Sequence, residues 1–297
     1  MDTSRKLPAS AGAEWVLGGW ALLRRAPLPL GSLGALWGLF GALLLVAAMA
    51  LPALAAVLQL LLALAGPVLF GGLVWAVREV AQGRPALPGH LLQGAREGRV
   101  PQLLATVLPQ VVAGLVLGML LLVLVGGEQL QRLVEVRDEL DAMARSGAQP
   151  SPEEVQALVG GLPAGRILLW LLLGVLAAAG VAMTVFLAVP RIMFDHRGGL
   201  AAMGDSLRAA WRNLPAVLVF FLLAGLSLAG VYFAVALVSV PVQLLLGPWP
   251  AAWLAQLLFT GVVMPVLAGA VFTAWSQVFG RGAGVAAPPQ PSGSIEV

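Results

Sequence analysis

Six apolar runs, near residues 28–50, 53–77, 102–126, 167–190, 216–239 and 251–278, contain no Asp, Glu, Lys, Arg or His. A helix needs about 20 mostly apolar residues to cross the hydrocarbon core of a bilayer, and every run is long enough. Hydrophobic residues make up 60% of the chain and charged residues 10%, against roughly a quarter charged in soluble domains. A soluble fold of 297 residues could not bury so much apolar surface around one core, whereas a bilayer can. The sequence therefore predicts an all-α integral membrane protein with six transmembrane helices.

Three of the runs follow a basic segment that ends in proline. These are Leu22-Leu23-Arg24-Arg25-Ala26-Pro27, Ala95-Arg96-Glu97-Gly98-Arg99-Val100-Pro101 and Ala209-Ala210-Trp211-Arg212-Asn213-Leu214-Pro215. Each is expected to be an amphipathic approach helix at the headgroup level, giving three hairpins. For the first, Trp15 and Trp20 are the expected interfacial anchors. The formal charge of +3 and pI near 10.5 do not point to nucleic acid, because the charges lie between spans and form no continuous basic face. They sort by side. Arg5, Lys6, Arg24, Arg25, Arg78, Arg84, Arg96, Arg99, Arg191, Arg197, Arg208, Arg212 and Arg281 fall on one side, while the 127–166 loop is acidic. The bias predicts both termini in the cytoplasm and the acidic loop outside.

Residues 1–13 read as an N-terminal tail, 14–279 as the membrane domain, and 280–297, rich in proline and serine, as a disordered cytoplasmic tail. No cleavable signal is expected, since the first apolar run is long and starts late. Gly34 and Gly38 are four apart with Gly41 on the same face, which allows a neighbouring helix to approach backbone to backbone. Within the outer loop, Glu128–Met143 reads as a helix with Leu130, Leu133, Val134, Leu140 and Met143 near one face. Ser151-Pro152-Glu153-Glu154 is a helix start, with serine as N-cap. Together they predict a small extracytoplasmic helical cap. Pro67-Val68-Leu69-Phe70-Gly71 aligns with Pro265-Val266-Leu267-Ala268-Gly269, which suggests a divergent parallel repeat. Pro67 and Pro265 are the candidate hinges.

The chemistry is sparse. Cysteine is absent, so there is no disulfide or thiolate chemistry. His90 has no acid or second histidine at ligand spacing, and Asp195-His196 lies in a glycine-rich turn, where such residues more often cap than catalyse. No phosphate-binding loop, dinucleotide fingerprint or nucleophile elbow is present. No catalytic residue, cofactor or metal site is expected. Intramembrane ionisable residues usually mark ion or proton paths, and their absence weakens a coupled-transport reading. The span polar residues, such as Gln59, Gln110, Thr184, Ser227, Gln256, Thr260, Thr273 and Gln277, read mostly as interhelical hydrogen bonds or interface residues rather than a permeation path. Arg24, Arg25, Arg99 and Arg212 are the candidate contacts to lipid headgroups or a partner; the simpler reading is that they set topology and snorkel.

Two stretches carry a resemblance. Gly19-Trp20-Ala21-Leu22-Leu23-Arg24-Arg25-Ala26-Pro27 is one; the other is Val189-Pro190-Arg191-Ile192-Met193-Phe194-Asp195-His196 with Ser206-Leu207-Arg208-Ala209-Ala210-Trp211-Arg212-Asn213. Over residues 15–280 the chain resembles an uncharacterised family of six-span proteobacterial inner-membrane proteins. Its pattern is a Gly-Trp-x-Leu-x-Arg-x-x-Pro opening and a Ser-x-x-Ala-x-x-Arg-Asn approach helix. Leu23 departs from it, since an aromatic is commoner there. The resemblance implies a six-span fold and no established activity.

The expected role is structural or accessory, with membrane lipids or another membrane protein as partner and no enzymatic chemistry. The alternative is a flippase-like carrier of an apolar or amphipathic solute, hinged at Pro67 and Pro265 around a cavity lined by Gln110, Thr184 and Gln256. A third reading makes the acidic outer loop a docking site.

Overall fold

Helix α1 (Ala11–Arg25) turns at Ala26 into α2 (Pro27–Ala50). Pro27 suits that start, because its fixed φ fits a first helical turn and its missing N–H would have no partner there. A 3-10 turn at Pro52–Leu54 leads into α3 (Ala55–Ala81). Shorter pieces follow: a 3-10 turn at Pro88–Leu92, α4 (Gln93–Arg96) and α5 (Val100–Leu104). Next come α6 (Leu108–Leu124), α7 (Gly127–Ser146) and α8 (Ala164–Phe186). The chain closes with α9 (Ala188–Phe194), α10 (Gly199–Arg212), α11 (Leu214–Leu246) and α12 (Pro248–Phe279). This computed structural model describes residues 4–146, 151, 153–154, 156 and 160–280, and among them every regular element is helical.

Among the described residues six stretches are long and apolar enough to cross a membrane: Pro27–Ala50, Pro52–Ala81, Val100–Leu124, Ala164–Phe194, Leu214–Leu246 and Pro248–Phe279. They coincide with the six apolar runs, as in a multi-pass membrane protein, and every regular element among the described residues is helical. The fifth helix continues past the expected end near 239 to Leu246, carrying Pro241 inside it. The chain divides into two compact units, residues 1–107 with 183–297, and residues 108–182.

In the first unit α12 is the hub, packing against α1, α2, α3, α9 and α11. Burial crowds toward one end of the long helices. In α3 the buried residues lie between Gly71 and Val80, in α12 mostly between Gly261 and Val278, and in α11 mostly at Ala216, Val217 and Phe220. The other halves expose Leu60, Leu61, Leu237, Leu244 and Leu245. There is a physical reason for such a gradient. Hydrocarbon is as apolar as leucine, so side chains facing lipid gain little by leaving it, whereas apolar groups that would otherwise meet water are driven together.

Within this unit, helices meet through missing side chains. A Cβ on Gly34 would lie 2.5 Å from the Thr260 carbonyl oxygen, and one on Gly38 2.0 Å from its hydroxyl. Gly41 does not share that contact; its nearest neighbour is Leu62 of α3, at 3.5 Å from the same position. Thr260 and Thr273 each donate their hydroxyl to the carbonyl four residues back, Gln256 and Gly269, both at 2.8 Å. These hydroxyls are thus satisfied on their own helix, not between helices as the sequence suggests. Gln277 does bridge helices: its Oε1 accepts from Trp15 Nε1 at 2.8 Å and its Nε2 donates to Glu14 at 2.9 Å.

Helix α1 corrects two expectations. It begins at Ala11, and Trp15 is no outward anchor: it is 0% exposed, with its ring 5.7 Å from Phe186 and 6.0 Å from Phe220. An amphipathic period gives a helix an apolar face but does not say whether lipid or protein covers it; here α11 and α12 do. Among the residues before α1, backbone groups of Arg5 and Leu7 are bonded to the helical domain. Arg5 N–H donates to the Val278 carbonyl at 2.9 Å, and Asn213 holds both sides of the segment. Its Oδ1 accepts from Leu7 N–H at 2.7 Å and its Nδ2 donates to the Arg5 carbonyl at 3.0 Å. Asn213 is 1% exposed, so Asn213→Ala would leave these backbone groups without partners. The expected cost is about 2 kcal/mol, with faster amide exchange confined to residues 5–10; unchanged exchange there would remove Asn213 as the tether. Residues 1–3 and 281–297, with Arg281 and nearly all of the expected C-terminal tail, lie outside the described residues.

The second unit is simpler. Trp170 of α8 donates its indole N–H to the Leu117 carbonyl of α6 at 2.8 Å. Helix α7 occupies the expected 128–143 region, but its inner face differs: Val136 is buried at 8% exposure while Val134 is 51% exposed. Leu133, Val136, Leu140 and Met143 are spaced three or four apart, a single helical stripe. The expected N-cap at Ser151 forms. Glu154 N–H donates to Ser151 Oγ at 3.3 Å, and Ser151 N–H donates to the Glu154 carboxylate at 2.8 Å, a reciprocal capping box. Pro152 lies outside the described residues.

Candidate functional site

Two features of the first unit offer themselves as sites, a charged junction around α9 and α10 and an apolar groove beside α1. The junction forms where α9 ends at Asp195 and the 196–198 turn leads into α10. Leu187, between α8 and α9, donates its N–H to Ser206 Oγ at 2.9 Å, and that hydroxyl donates to the Met183 carbonyl at 2.8 Å. One buried serine therefore satisfies both sides of a helix break. Arg191 reaches Asp195 at 2.8 Å and Asp205 at 2.7 Å. Arg197 and Arg208 converge on Asp205 at 3.0 Å and 3.2 Å.

Aromatic rings wall this junction. The Arg191 guanidinium lies 4.3 Å from the Phe279 ring centre, and Trp275 Nε1 donates to Asp195 at 2.9 Å. Phe194 sits between Trp75 and Trp275, 6.0 Å and 4.9 Å from their ring centres, and Arg78 lies 4.8 Å from it. Trp75 of α3 and Trp275 of α12 thus flank the same ring.

Burial alone would raise the Asp205 pKa, but hydrogen bonds from Arg191 and Arg197, then their charges, outweigh it and hold the carboxyl below its ordinary range. Chemically this is a clamp: its carboxylates are occupied by arginines and an indole. Asp195 bonds Arg191 and Trp275, while His196 Nδ1 faces the Arg99 guanidinium. His196 has φ 54°, the left-handed region that few non-glycine residues adopt. Among the described residues no three His, Asp or Glu side chains gather as a metal site.

The four candidate arginines have different surroundings. Arg24 and Arg25 are exposed in the last turn of α1. Arg25 borders a recess of about 500 Å³ with Ala26, Val80, Gly83, Arg84 and Pro85. Arg99 is half-buried against His196, and Arg212 is exposed at the end of α10 beside Trp211. Of the candidate hinges, Pro67 is half-buried in α3, while Pro265 is buried in α12 with its Cδ 2.9 Å from where a Gly34 Cβ would stand. Gln256 borders a cavity of about 370 Å³ with Gly41, Leu45, Leu62, Trp249 and Trp253. Gln110 belongs to the second unit and Thr184 to the first; neither lines that cavity.

The groove lies between α1, α11 and α12, with a volume of about 260 Å³. Val16, Trp20, Phe221, Gly225, Leu228 and Val263 are among its walls. Its polar groups face each other, Trp20 Nε1 donating to Ser227 Oγ at 3.3 Å. Sequence reasoning placed Trp20 at an interface and Ser227 between helices, yet could not join them across 207 residues. It missed Asp205 altogether, because an arginine partner fourteen residues away leaves no local pattern. No family model, curated protein or solved structure matches the chain.

Proposed function

We propose that the protein is a multi-pass component of the bacterial cytoplasmic membrane that acts by binding lipid or another membrane component, without chemistry of its own. In this reading three hairpins each follow a basic approach segment at the cytoplasmic surface, and the α7 region caps the opposite face. The Lys/Arg distribution supports that orientation.

The observation that carries the reading is a contrast within the first unit. The acidic groups of the α9–α10 junction are taken up by its own arginines and Trp275. An open apolar groove, by contrast, stands on the same helix as the exposed Arg24 and Arg25. The carrier alternative needs motion at Pro265, and that proline is wedged between helices against Gly34. Turning there would first have to part α2 from α12, so the binding reading is preferred.

Extraction into lipid nanodiscs followed by mass spectrometry of co-purifying material tests it, comparing wild type with an Arg24→Ala, Arg25→Ala, Arg99→Ala, Arg212→Ala variant. A lipid or protein enriched with wild type and lost from the variant is the expected result. The same bulk lipid with both, and no partner, would reduce the arginines to topology signals and make the carrier the reading to pursue.

A further inference from the structure

We infer that the groove between α1, α11 and α12 holds one acyl chain of an anionic membrane phospholipid, whose phosphate is held at Arg24. The inference rests on the reading that this protein binds membrane lipid, and names the site and the class of lipid.

The walls select the chain. Their side chains are apolar apart from Trp20 and Ser227, and those two hydrogen-bond to each other. An alkyl chain laid there leaves no polar group newly stripped of a partner. The space suits a narrow occupant: at about 260 Å³ it falls just below the roughly 300–1,000 Å³ of sites that hold compact ligands. It is also open along α11, where Phe221, Gly225 and Leu228 are exposed. A tethered chain can therefore lie in it while the rest of the lipid stays in the bilayer.

The charge selects the headgroup. Val16, Trp20 and Arg24 are four apart on α1, hence on one stripe of the helix. The first two line the groove, and the third continues the same stripe, exposed, one turn further on. Glu14, the acid of α1, is bonded to Gln277 at the opposite end of the helix, so the C-terminal end is basic, with Arg25 adjacent. A groove for hydrocarbon with an exposed arginine one helical turn beyond its lining on the same helix matches the two halves of an anionic phospholipid.

Gly225 offers a clean perturbation. A Cβ built on it meets nothing within 4 Å, so Gly225→Leu adds a side chain at the groove wall without striking the backbone, and leucine favours the helix over glycine. Wild type, Gly225→Leu and Arg24→Ala would be placed in nanodiscs of phosphatidylglycerol and phosphatidylethanolamine in equal amounts, then released for native mass spectrometry. Wild type should keep one phospholipid, phosphatidylglycerol over phosphatidylethanolamine. Gly225→Leu should lower that occupancy about fivefold or more, and Arg24→Ala should level the headgroup preference.

Retention of phosphatidylglycerol by Gly225→Leu at the wild-type level would overturn the site while leaving lipid binding intact. Loss of any retained lipid from wild type would overturn the groove site and lipid binding together, leaving a protein partner as the form of the proposed function to test. A second measurement uses only the wild-type chain. Phosphatidylglycerol carrying a diazirine in one acyl chain should crosslink chiefly to 220–231 and 262–270. Crosslinks spread evenly over the exposed faces of all six spans would reject the groove.

Discussion

Gly19→Ala should cost about 1–2 kcal/mol of stability, although alanine is the better helix former. A Cβ at this position would lie 2.2 Å from the Val266 carbonyl oxygen and 3.0 Å from the Ala270 nitrogen. Both atoms are helix backbone, which cannot swing aside as a side-chain tip can. The reverse approach is close too, since a Cβ on Gly269 would lie 2.9 Å from the Gly19 Cα. Overpacking of this kind typically costs about 1–3 kcal/mol, sometimes more, and outweighs the gain of up to about 1 kcal/mol from replacing a helical glycine. Gly114→Ala is the matched control, because a Cβ there meets nothing within 4 Å; it should be neutral or stabilising. Unfolding in mixed micelles, followed by far-UV circular dichroism, compares the three proteins. A Gly19→Ala protein as stable as wild type would mean that α1 does not need this close crossing.

The second large effect is expected at Asp205, which joins α9, the 196–198 turn and α10. Its side chain is 13% exposed, and its partner Arg191 11%. Removing one partner of a buried ion pair costs roughly 3–5 kcal/mol, because the other charge is left without compensation. Arg197 and Arg208 are half exposed or more, and water screens those pairs. About 2–3 kcal/mol is therefore the expected loss for Asp205→Asn.

The pH dependence has a definite sign. The folded carboxyl titrates below its ordinary value of 3.8, so the unfolded chain binds the proton more readily. Stabilisation by Asp205 is complete above 3.8 and falls away as pH drops through the lower folded value. The stability gap between wild type and Asp205→Asn should then be constant near neutrality and narrow only in acid, below that value. A gap that closes on going from pH 7 to 5 would show that some other group carries the effect.

Much of this molecule can be read without coordinates because hydrocarbon imposes a rule that depends only on composition and length. Leu60, Leu115 and Leu237 need no identified neighbour to be placed in a span; enough apolar residues in a row suffice. The helix start at Ser151 is equally local, since its cap and Glu154 lie three residues apart. Gly34 and Gly38 announced a close approach through their spacing, though not that Thr260 would be the residue beneath them.

What local pattern could not supply is the partner. Trp15 carries the same amphipathic signature whether lipid or protein covers it, and only the packing of α11 and α12 against α1 decides that it is core. Asn213 can tether residues 5–7, Asp205 can gather three arginines, and Trp20 can meet Ser227 only once distant segments are side by side. The sequence by itself determined six runs long and apolar enough to span a bilayer and the exclusion of charge from them, because insertion into a bilayer is governed by a segment's own apolar length and flanking charges. The tertiary structure decided the buried approach helix, the ionic clamp and the groove, because hydrogen bonds, ion pairs and steric contact act over a few ångströms between residues that can be 200 or more positions apart.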